Sequence, residues 1–297
     1  MIAKLYRKLI PSSIRTIIYK AFLGSILIFF RELDDKIKCK WYKLIYLFIE
    51  PKSEKAKAFR DWGNAGPTPY PYSWKKEYDS HRFEVHIDDK KSLPYVWHND
   101  KKLYFKKDTR NVADAYKFLL IEQDERSAHR YVKSYKDLMG KTLLDIGAAE
   151  AIFTLDVIEY INHAYLFESD ESWIEALNAT FTPWKEKITI VRKYVSDVND
   201  ENNVTLDAFF KDKLSENLFV KMDIEGYERK ALKGCNKLFA RNQNISGSVC
   251  IYHLSDDEEA VSKILKHSGL TISVQPGYLY YGKNMRHAIV RFHSSCL

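Results

Sequence analysis

The chain has 297 residues, of which 45% are hydrophobic and 29% charged, so it is long enough for one large or two small globular domains. Its net charge of +7 is unevenly spread, because residues 1–60 carry a local charge of +9 and residues 61–297 a local charge of −2. This distribution argues against a nucleic-acid-binding body, which would need a basic face.

The four cysteines, Cys39, Cys235, Cys250 and Cys296, are scattered along the chain. No pair has the CxxC spacing of a zinc site, and a disulfide framework is uncommon in a chain of this size. We therefore predict reduced thiols, a cytoplasmic location and no metal site, with a divalent ion on Asp223 and Glu225 as the open alternative.

Residues 1–62 are predicted to form a basic, amphipathic helical segment. Apolar residues recur at helical spacing, with lysines and arginines between them. The uncharged stretch 21–30 is far shorter than the roughly 20 residues that a bilayer span needs. Two interpretations stay open: residues 1–50 lie in the plane of the inner membrane surface, or they form a helical pair packed on the protein's own core.

Residues 63–125 are predicted to contain a linker and a small β-rich subdomain. Glycines and prolines punctuate residues 63–71. Three short aromatic runs, "RFEVHI", "PYVWH" and "KLYFKK", then predict an antiparallel sheet over residues 82–107. A helix is expected to follow over residues 111–123.

From residue 126 to the end, strand-like runs alternate with helical ones. "TLLDI", "AYLFE", "ITIVRKYV", "LFVKMDI" and "SGSVCIYH" are the strand candidates, with helical patterns between them. "LTISVQ" and "HAIVRF" close the chain as an antiparallel hairpin at one edge. The alternation predicts an α/β fold with a mostly parallel sheet, whose ligand would lie beyond the carboxyl ends of the strands.

Acidic residues follow four of the five predicted parallel strands. In chain order, the strand ends carry Asp145, Gly147, Ala148, Ala149 and Glu150; then Glu168, Ser169 and Asp170; then Ser196 and Asp197; then Asp223, Glu225 and Gly226; and finally His253. Each acid alone could simply cap the helix that follows it. As a group, they predict a cationic or hydroxyl-rich ligand, because like charges gathered at one edge repel each other.

Spacing narrows the class of ligand. Glu168 lies 21 residues after Gly147, where an acid can bind the hydroxyls of a ribose. The loop lacks the G-x-G-x-x-G pattern of dinucleotide sites, and Asp145 and Glu150 would repel a pyrophosphate. A cationic nucleoside without phosphates is expected, and S-adenosylmethionine fits this description.

Several motifs together resemble the FkbM-type methyltransferases over about residues 130–297. They are "LLDIGAAEAIF", "YLFESD", "VSD", "VTLDAFF" and "LFVKMDIEGYERKALKG". The last one matches the family signature K-x-D-x-E-G-x-E followed by L-x-G. Two positions depart from the family: Ala151 stands where many members have glycine, and Tyr252 stands where many have an acid.

The resemblance implies a class I, Rossmann-like methyltransferase domain over residues 126–297, with S-adenosylmethionine as the methyl donor. It also implies transfer to a hydroxyl oxygen, often on a sugar or glycan acceptor. Position by position, it places Asp145 and Gly147 at the methionine end of the donor, Glu168 at the ribose, Ser196 and Asp197 at the adenine, and Asp223, Glu225 and Glu228 on the donor–acceptor side.

Asp223 is the first candidate for a general base, His253 the second, and Glu225 would orient acceptor hydroxyls. A histidine at a strand end can instead be a buried residue satisfied by its neighbours. Two alternative functions stay open: a non-catalytic donor-binding module, and a methyltransferase acting on RNA or another small molecule.

Overall fold

The computed structural model describes residues 24–211, 217–242 and 244–294. Residues 1–23 of the predicted N-terminal segment, and Cys296, lie outside these ranges. The chain divides into two compact units, Met1–Ser73 and Trp74–Leu297. The domain boundaries placed after residues 62 and 125 stay predictions.

The described ranges contain nine α-helices and three 3₁₀ helices. The α-helices are α1 Gly24–Phe48, α2 Glu54–Ala65, α3 Val112–Gln123, α4 Ile152–Val157, α5 Glu171–Thr180, α6 Leu206–Phe209, α7 Glu228–Lys233, α8 Asn236–Arg241 and α9 Asp257–His267. The 3₁₀ helices are Ser73–Ser80, Tyr135–Leu138 and Thr182–Lys187. Within these ranges, no helix has the length and apolar character needed to cross a membrane.

Fourteen strands lie in the same ranges. They are β1 His86–Asp88, β2 Leu93–His98, β3 Lys101–Tyr104, β4 Thr142–Ile146, β5 His163–Phe167, β6 Ile188–Val191, β7 Tyr194–Val195, β8 Asn203–Val204, β9 Leu218–Met222, β10 Ile245–Cys250, β11 Leu270–Val274, β12 Leu279–Tyr281, β13 Asn284–Arg286 and β14 Ile289–Ser294.

The first unit is built around the helical pair α1 and α2. Trp62 is completely buried and donates its indole N–H to the carbonyl of Thr68 at 3.0 Å. Tyr42 of α1 stacks on Phe59 of α2, with ring centroids 4.5 Å apart. Gly63 permits this close packing, because a Cβ there would lie 2.8 Å from the backbone nitrogen of Lys43.

The second unit begins with the predicted antiparallel sheet, which is confirmed as β1-β2-β3 within residues 86–104. Helix α3 follows where the sequence placed it. Asn111 caps its start by accepting a hydrogen bond from the backbone N–H of Asp114.

The main sheet has seven strands in the order β11-β14-β10-β9-β4-β5-β6. Strands β6, β5, β4, β9 and β10 run parallel, and β14 is antiparallel to both of its neighbours. Strand β9 is buried at every position, as expected for a strand covered on both faces. The predicted α/β class with a mostly parallel sheet is confirmed.

The sheet differs from the prediction at two points. "ITIVRKYV" is two strands, because the main-sheet pairing of β6 ends at Val191 and Tyr194–Val195 pairs with β8 instead. The predicted C-terminal pair is antiparallel, but β14 lies between β11 and β10, and a small β12–β13 ladder separates the two in the chain.

Candidate functional site

The site begins at the loop that leaves β4. The backbone N–H of Gly147 donates to Phe167 at the end of β5, and the N–H of Asp223 donates to Ile146 at the end of β4. The ends of β4, β5 and β9 therefore meet at one edge of the sheet. A Cβ on Gly147 would lie 2.0 Å from the carbonyl oxygen of Asp223, so only glycine fits at this contact.

The loop after Gly147 is held in a left-handed conformation at alternate residues. Gly147, Ala149 and Ala151 have φ angles of 78°, 47° and 58°. This conformation is unfavourable for alanine by about 1–2 kcal/mol per residue. Strained backbone of this kind persists where the surrounding structure imposes it, and it is common at ligand-binding loops. The deep burial of Ala148 and Ala151 shows how firmly the loop is packed.

Glu168, at the end of β5, holds the same loop. Its Oε2 accepts the backbone N–H of Ala149 at 2.8 Å, and its Oε1 accepts the backbone N–H of Asp170 at 2.7 Å. Ser169 lies half-buried between these two contacts. Each carboxylate oxygen has a further lone pair, so Glu168 can accept additional hydrogen bonds from a ligand.

The carboxylate of Asp145 is paired with Thr154 and Lys221. It is buried, its Oδ2 accepts a hydrogen bond from Thr154 at 2.6 Å, and its Oδ1 lies 3.0 Å from Nζ of Lys221. Lys221 also donates to the carbonyl oxygen of Gly147. Burial opposes ionisation of Lys221, but Asp145 and Asp223 raise its pKa above the ordinary value.

Glu150 is the second acid of the loop. Burial, assisted by the negative charges of Glu122 and Asp145, raises the pKa of its carboxyl to about 7, while Lys221 opposes the shift. Near neutral pH, Glu150 is therefore divided between its neutral and ionised forms. The two acids of the loop therefore differ. Asp145 is paired with Lys221, whereas the carboxyl of Glu150 has a pKa of about 7.

Asp223, at the end of β9, is surrounded by donors. Tyr131 donates its hydroxyl to Oδ2 at 2.8 Å, and Nε2 of His129 lies 3.7 Å from the same oxygen. Nε2 of His253 lies 3.5 Å from Oδ1. Although burial opposes the shift, the charges of His129, Lys221 and His253 lower the pKa of Asp223 below its ordinary value.

His253 follows β10 and lies among three carboxylates. Its Nδ1 is 2.9 Å from Oε1 of Glu228, and its Nε2 is 3.5 Å from Asp223 and 3.6 Å from Oε2 of Glu225. Burial opposes protonation, but the contact with Glu228 and the charges of Asp223 and Glu225 raise the pKa of His253 above 6.5.

The two glutamates beside His253 have different environments. Glu228 is fully buried, and its Oε1 accepts the backbone N–H groups of Ile224 and Gly226. The side chain of Glu225 is 82% exposed, and its φ angle of 54° is left-handed. Glu228 therefore shapes the loop after β9, whereas Glu225 points outward at the rim.

Ser196 and Asp197 follow β7, which lies outside the main sheet, and not the end of β6. Ser196 is buried and Asp197 is exposed. The loop packs on the end of α7, where a Cβ on Gly234 would lie 2.1 Å from the carbonyl oxygen of Ser196. This contact explains the glycine of the "LKG" motif.

Sequence reasoning missed several residues that complete the site. Lys221 and Tyr131 lie under Asp223, and no role was predicted for either. Arg286 of β13 donates to the carbonyl oxygens of Tyr252 and His253 at 2.7 and 3.1 Å. The sequence signal for Lys221 was its place as the first residue of the signature K-x-D-x-E-G-x-E in "VKMDIEG". A contact between β13 and the end of β10 leaves no trace in local sequence.

The family model described as "Methyltransferase FkbM domain" matches residues 28–266. No curated protein sequence matches at a significant level.

Solved structures similar to the chain include methyltransferases of several kinds. The FkbM methyltransferase of Methylobacillus flagellatus is 18% identical with a TM-score of 0.42, over 56% of this chain and 49% of that one. The N-methyltransferase NodS of Bradyrhizobium japonicum, solved with S-adenosyl-L-homocysteine, is 13% identical with a TM-score of 0.40, over 59% and 91%. A putative RNA methyltransferase of Pyrococcus horikoshii is 15% identical with a TM-score of 0.36, over 63% and 86%. The chain thus spans about half the length of the FkbM structure.

Proposed function

The chain belongs to the FkbM methyltransferase family, whose methyl donor is S-adenosylmethionine, and from this premise we propose that it methylates a sugar hydroxyl of a cell-surface polysaccharide or its precursor. One observation carries the proposal. A buried histidine, held by a buried glutamate, lies beside Asp223 at the strand edge where the Gly147 loop and Glu168 also meet.

The residues of this edge fit a cationic nucleoside. The Gly147 loop lies so close to the end of β9 that a Cβ at residue 147 would overlap the carbonyl oxygen of Asp223. Glu168 has lone pairs to spare for two ribose hydroxyls. Glu150 can ionise in response to a nearby positive charge, because its pKa is about 7. The Ser196–Asp197 loop is the proposed adenine contact.

S-adenosylmethionine would supply an electrophilic methyl group on a sulfonium sulfur. An alcohol is a poor nucleophile until its proton is removed, so a hydroxyl acceptor calls for a base. We assign this role to Nε2 of His253, which faces the exposed Glu225. The proton of the acceptor hydroxyl would pass to this nitrogen as the oxygen takes the methyl group.

Asp223 has a supporting role in this proposal, although the sequence ranked it first as the base. Its pKa is lowered, and Tyr131, His129 and His253 already surround its two oxygens. A carboxylate of low pKa accepts a proton poorly near neutral pH. Asp223 would instead stabilise the imidazolium that His253 becomes, while Glu228 fixes the orientation of the ring.

His253→Gln tests this assignment. The variant should bind S-adenosylmethionine with an unchanged dissociation constant by calorimetry and lose about 10²- to 10⁴-fold in methyl transfer. In the unaltered protein, the rate should rise as the pH passes a value above 6.5, because His253 must be neutral to accept a proton. The readout is methylated product by mass spectrometry over a panel of sugar nucleotides, lipid-linked saccharides and polysaccharides.

Two further variants serve as comparators. His163→Gln removes a histidine that begins β5, at the opposite edge of the sheet, and should leave transfer unchanged. Glu168→Gln should weaken donor binding instead. Full activity of His253→Gln would remove His253 as the base. Donor binding without transfer to any acceptor would favour a non-catalytic module, and transfer to RNA alone would overturn the sugar acceptor.

A further inference from the structure

Helix α1 exposes a continuous apolar stripe. Its members, the α1 stripe, are Phe30, Leu33, Ile37, Trp41, Leu44 and Phe48, and each is between 41% and 83% exposed. The opposite face packs on α2 through residues such as Cys39 and Tyr42. Exposed apolar residues that are scattered singly are ordinary, but six along one face mark a surface for a partner.

The spacing of the stripe indicates the shape of that partner. Phe30 and Phe48 are 18 residues apart, which is five turns at about 3.6 residues per turn, so both point the same way. All six members fall within an arc of about 80° on a straight helix. A partner helix in a left-handed coiled coil would require a repeat of about 3.5, and the strict repeat that fits the stripe best would place the charged Asp34 instead of Leu33 in the seam. A flat surface suits the observed spacing better.

The charge beside the stripe indicates the chemistry of that surface. Lys36, Lys40 and Lys43 are exposed and lie about 20 to 80° to one side of the stripe. On the other side, Asp34 is neutralised by Lys38 at 2.9 Å. Long lysine side chains can lie along an apolar surface and keep their ammonium groups in the anionic headgroup layer.

We infer that helix α1 docks on an anionic lipid surface, with the α1 stripe among the acyl chains and the three lysines against the headgroups. The inference does not depend on the acceptor or on methyl transfer. It narrows the membrane-plane interpretation of residues 1–50 to the exposed face of α1, Gly24–Phe48. The competing occupant of the stripe is a second copy of the chain.

Co-sedimentation of the full chain with vesicles tests the inference. Vesicles of phosphatidylcholine with phosphatidylglycerol should bind the protein, and vesicles of phosphatidylcholine alone should bind it at least about tenfold more weakly. The double variant Leu33→Asp with Ile37→Asp, and the triple variant Lys36→Glu, Lys40→Glu and Lys43→Glu, should each weaken binding by about tenfold or more.

Ile87→Asp is the matched control, because Ile87 is 62% exposed on the small antiparallel sheet and should not affect lipid binding. Thermal melts of the variants would establish that they fold. Equal binding by the stripe variants and the unaltered chain would overturn the inference. So would a dimer in lipid-free buffer that the stripe variants convert to monomers.

Discussion

At the scale of single residues, the site is governed by how each charge is compensated. Asp145 and Asp223 both share Lys221 as a cationic neighbour, and Asp223 also lies near two imidazoles. At Glu150, burial together with the negative charges of Glu122 and Asp145 outweighs the attraction of Lys221, which raises the pKa to about 7. Glu150 is therefore the acid of the loop whose charge can respond to a bound cation.

Glu150→Gln should reveal this response. In the unaltered protein, the affinity for S-adenosylmethionine should rise by about tenfold between pH 6 and 8, because the ionised fraction of a group of pKa about 7 rises from about a tenth to nine tenths. The variant should lose this dependence, apart from the titration of the ligand's own amino group. Calorimetry at several pH values measures both, and parallel curves for the two proteins would contradict the role of Glu150.

At the scale of elements, the geometry of the proposed site depends on how closely the β4–α4 loop approaches β9. Gly147 makes this approach possible, and Gly234 does the same where α7 ends against the Ser196 loop. At both positions, a Cβ would overlap a backbone carbonyl oxygen, so the absence of a side chain is what permits the contact. Gly147 brings the loops after β4 and β9 together, and Gly234 brings the loop after β7 against the end of α7.

Gly147→Ala should show how much this close approach matters. Gly147 and Gly140 have similar φ angles of 78° and 71°, but nothing lies within 4 Å of a Cβ at Gly140. Gly140→Ala should therefore cost about 1 kcal/mol from backbone strain alone. Gly147→Ala should cost about 3 kcal/mol or more, because the Cβ also overlaps backbone. Denaturant unfolding measures the difference, and equal losses would show that the loop can move aside.

Local patterns predicted the elements well where periodicity or capping specifies them. The antiparallel strands of residues 86–104, helix α3 with its Asn111 cap, and the alternation of strands and helices all follow from short-range pattern. The break between β6 and β7 could not be predicted, because Arg192 and Lys193 fit a strand as readily as a turn. Pairing across the sheet, as in Asp145 with Lys221, depends on residues far apart in the chain.

At the scale of the whole chain, the excess of basic residues and the residues of the proposed site lie in different parts of the sequence. Residues 1–60 hold the excess of lysine and arginine, while residues 61–297 carry a charge of −2. The proposed site lies entirely in the second part. Its ligands should therefore be recognised by local contacts and not by a general attraction for polyanions.

Methyl transfer to a saccharide acceptor should accordingly change little with salt. We expect less than about a twofold change in rate between 50 and 300 mM salt, whereas six or more phosphate contacts would cost about 10³-fold or more. Added RNA should not compete with the saccharide. A steep, log-linear loss of activity with salt would indicate a polyanionic acceptor.

The position of β14 has a consequence for how the chain folds during its synthesis. During synthesis, β11 leaves the ribosome before β14, yet β14 must lie between β11 and β10. Until β14 emerges, β11 has no partner in the sheet and the edge of β10 stays open. Open strand edges are templates for intermolecular pairing, so a nascent chain paused at this point exposes the edge of β10 to aggregation. Insertion of β14 forms two ladders at once and covers the open edges of both β10 and β11.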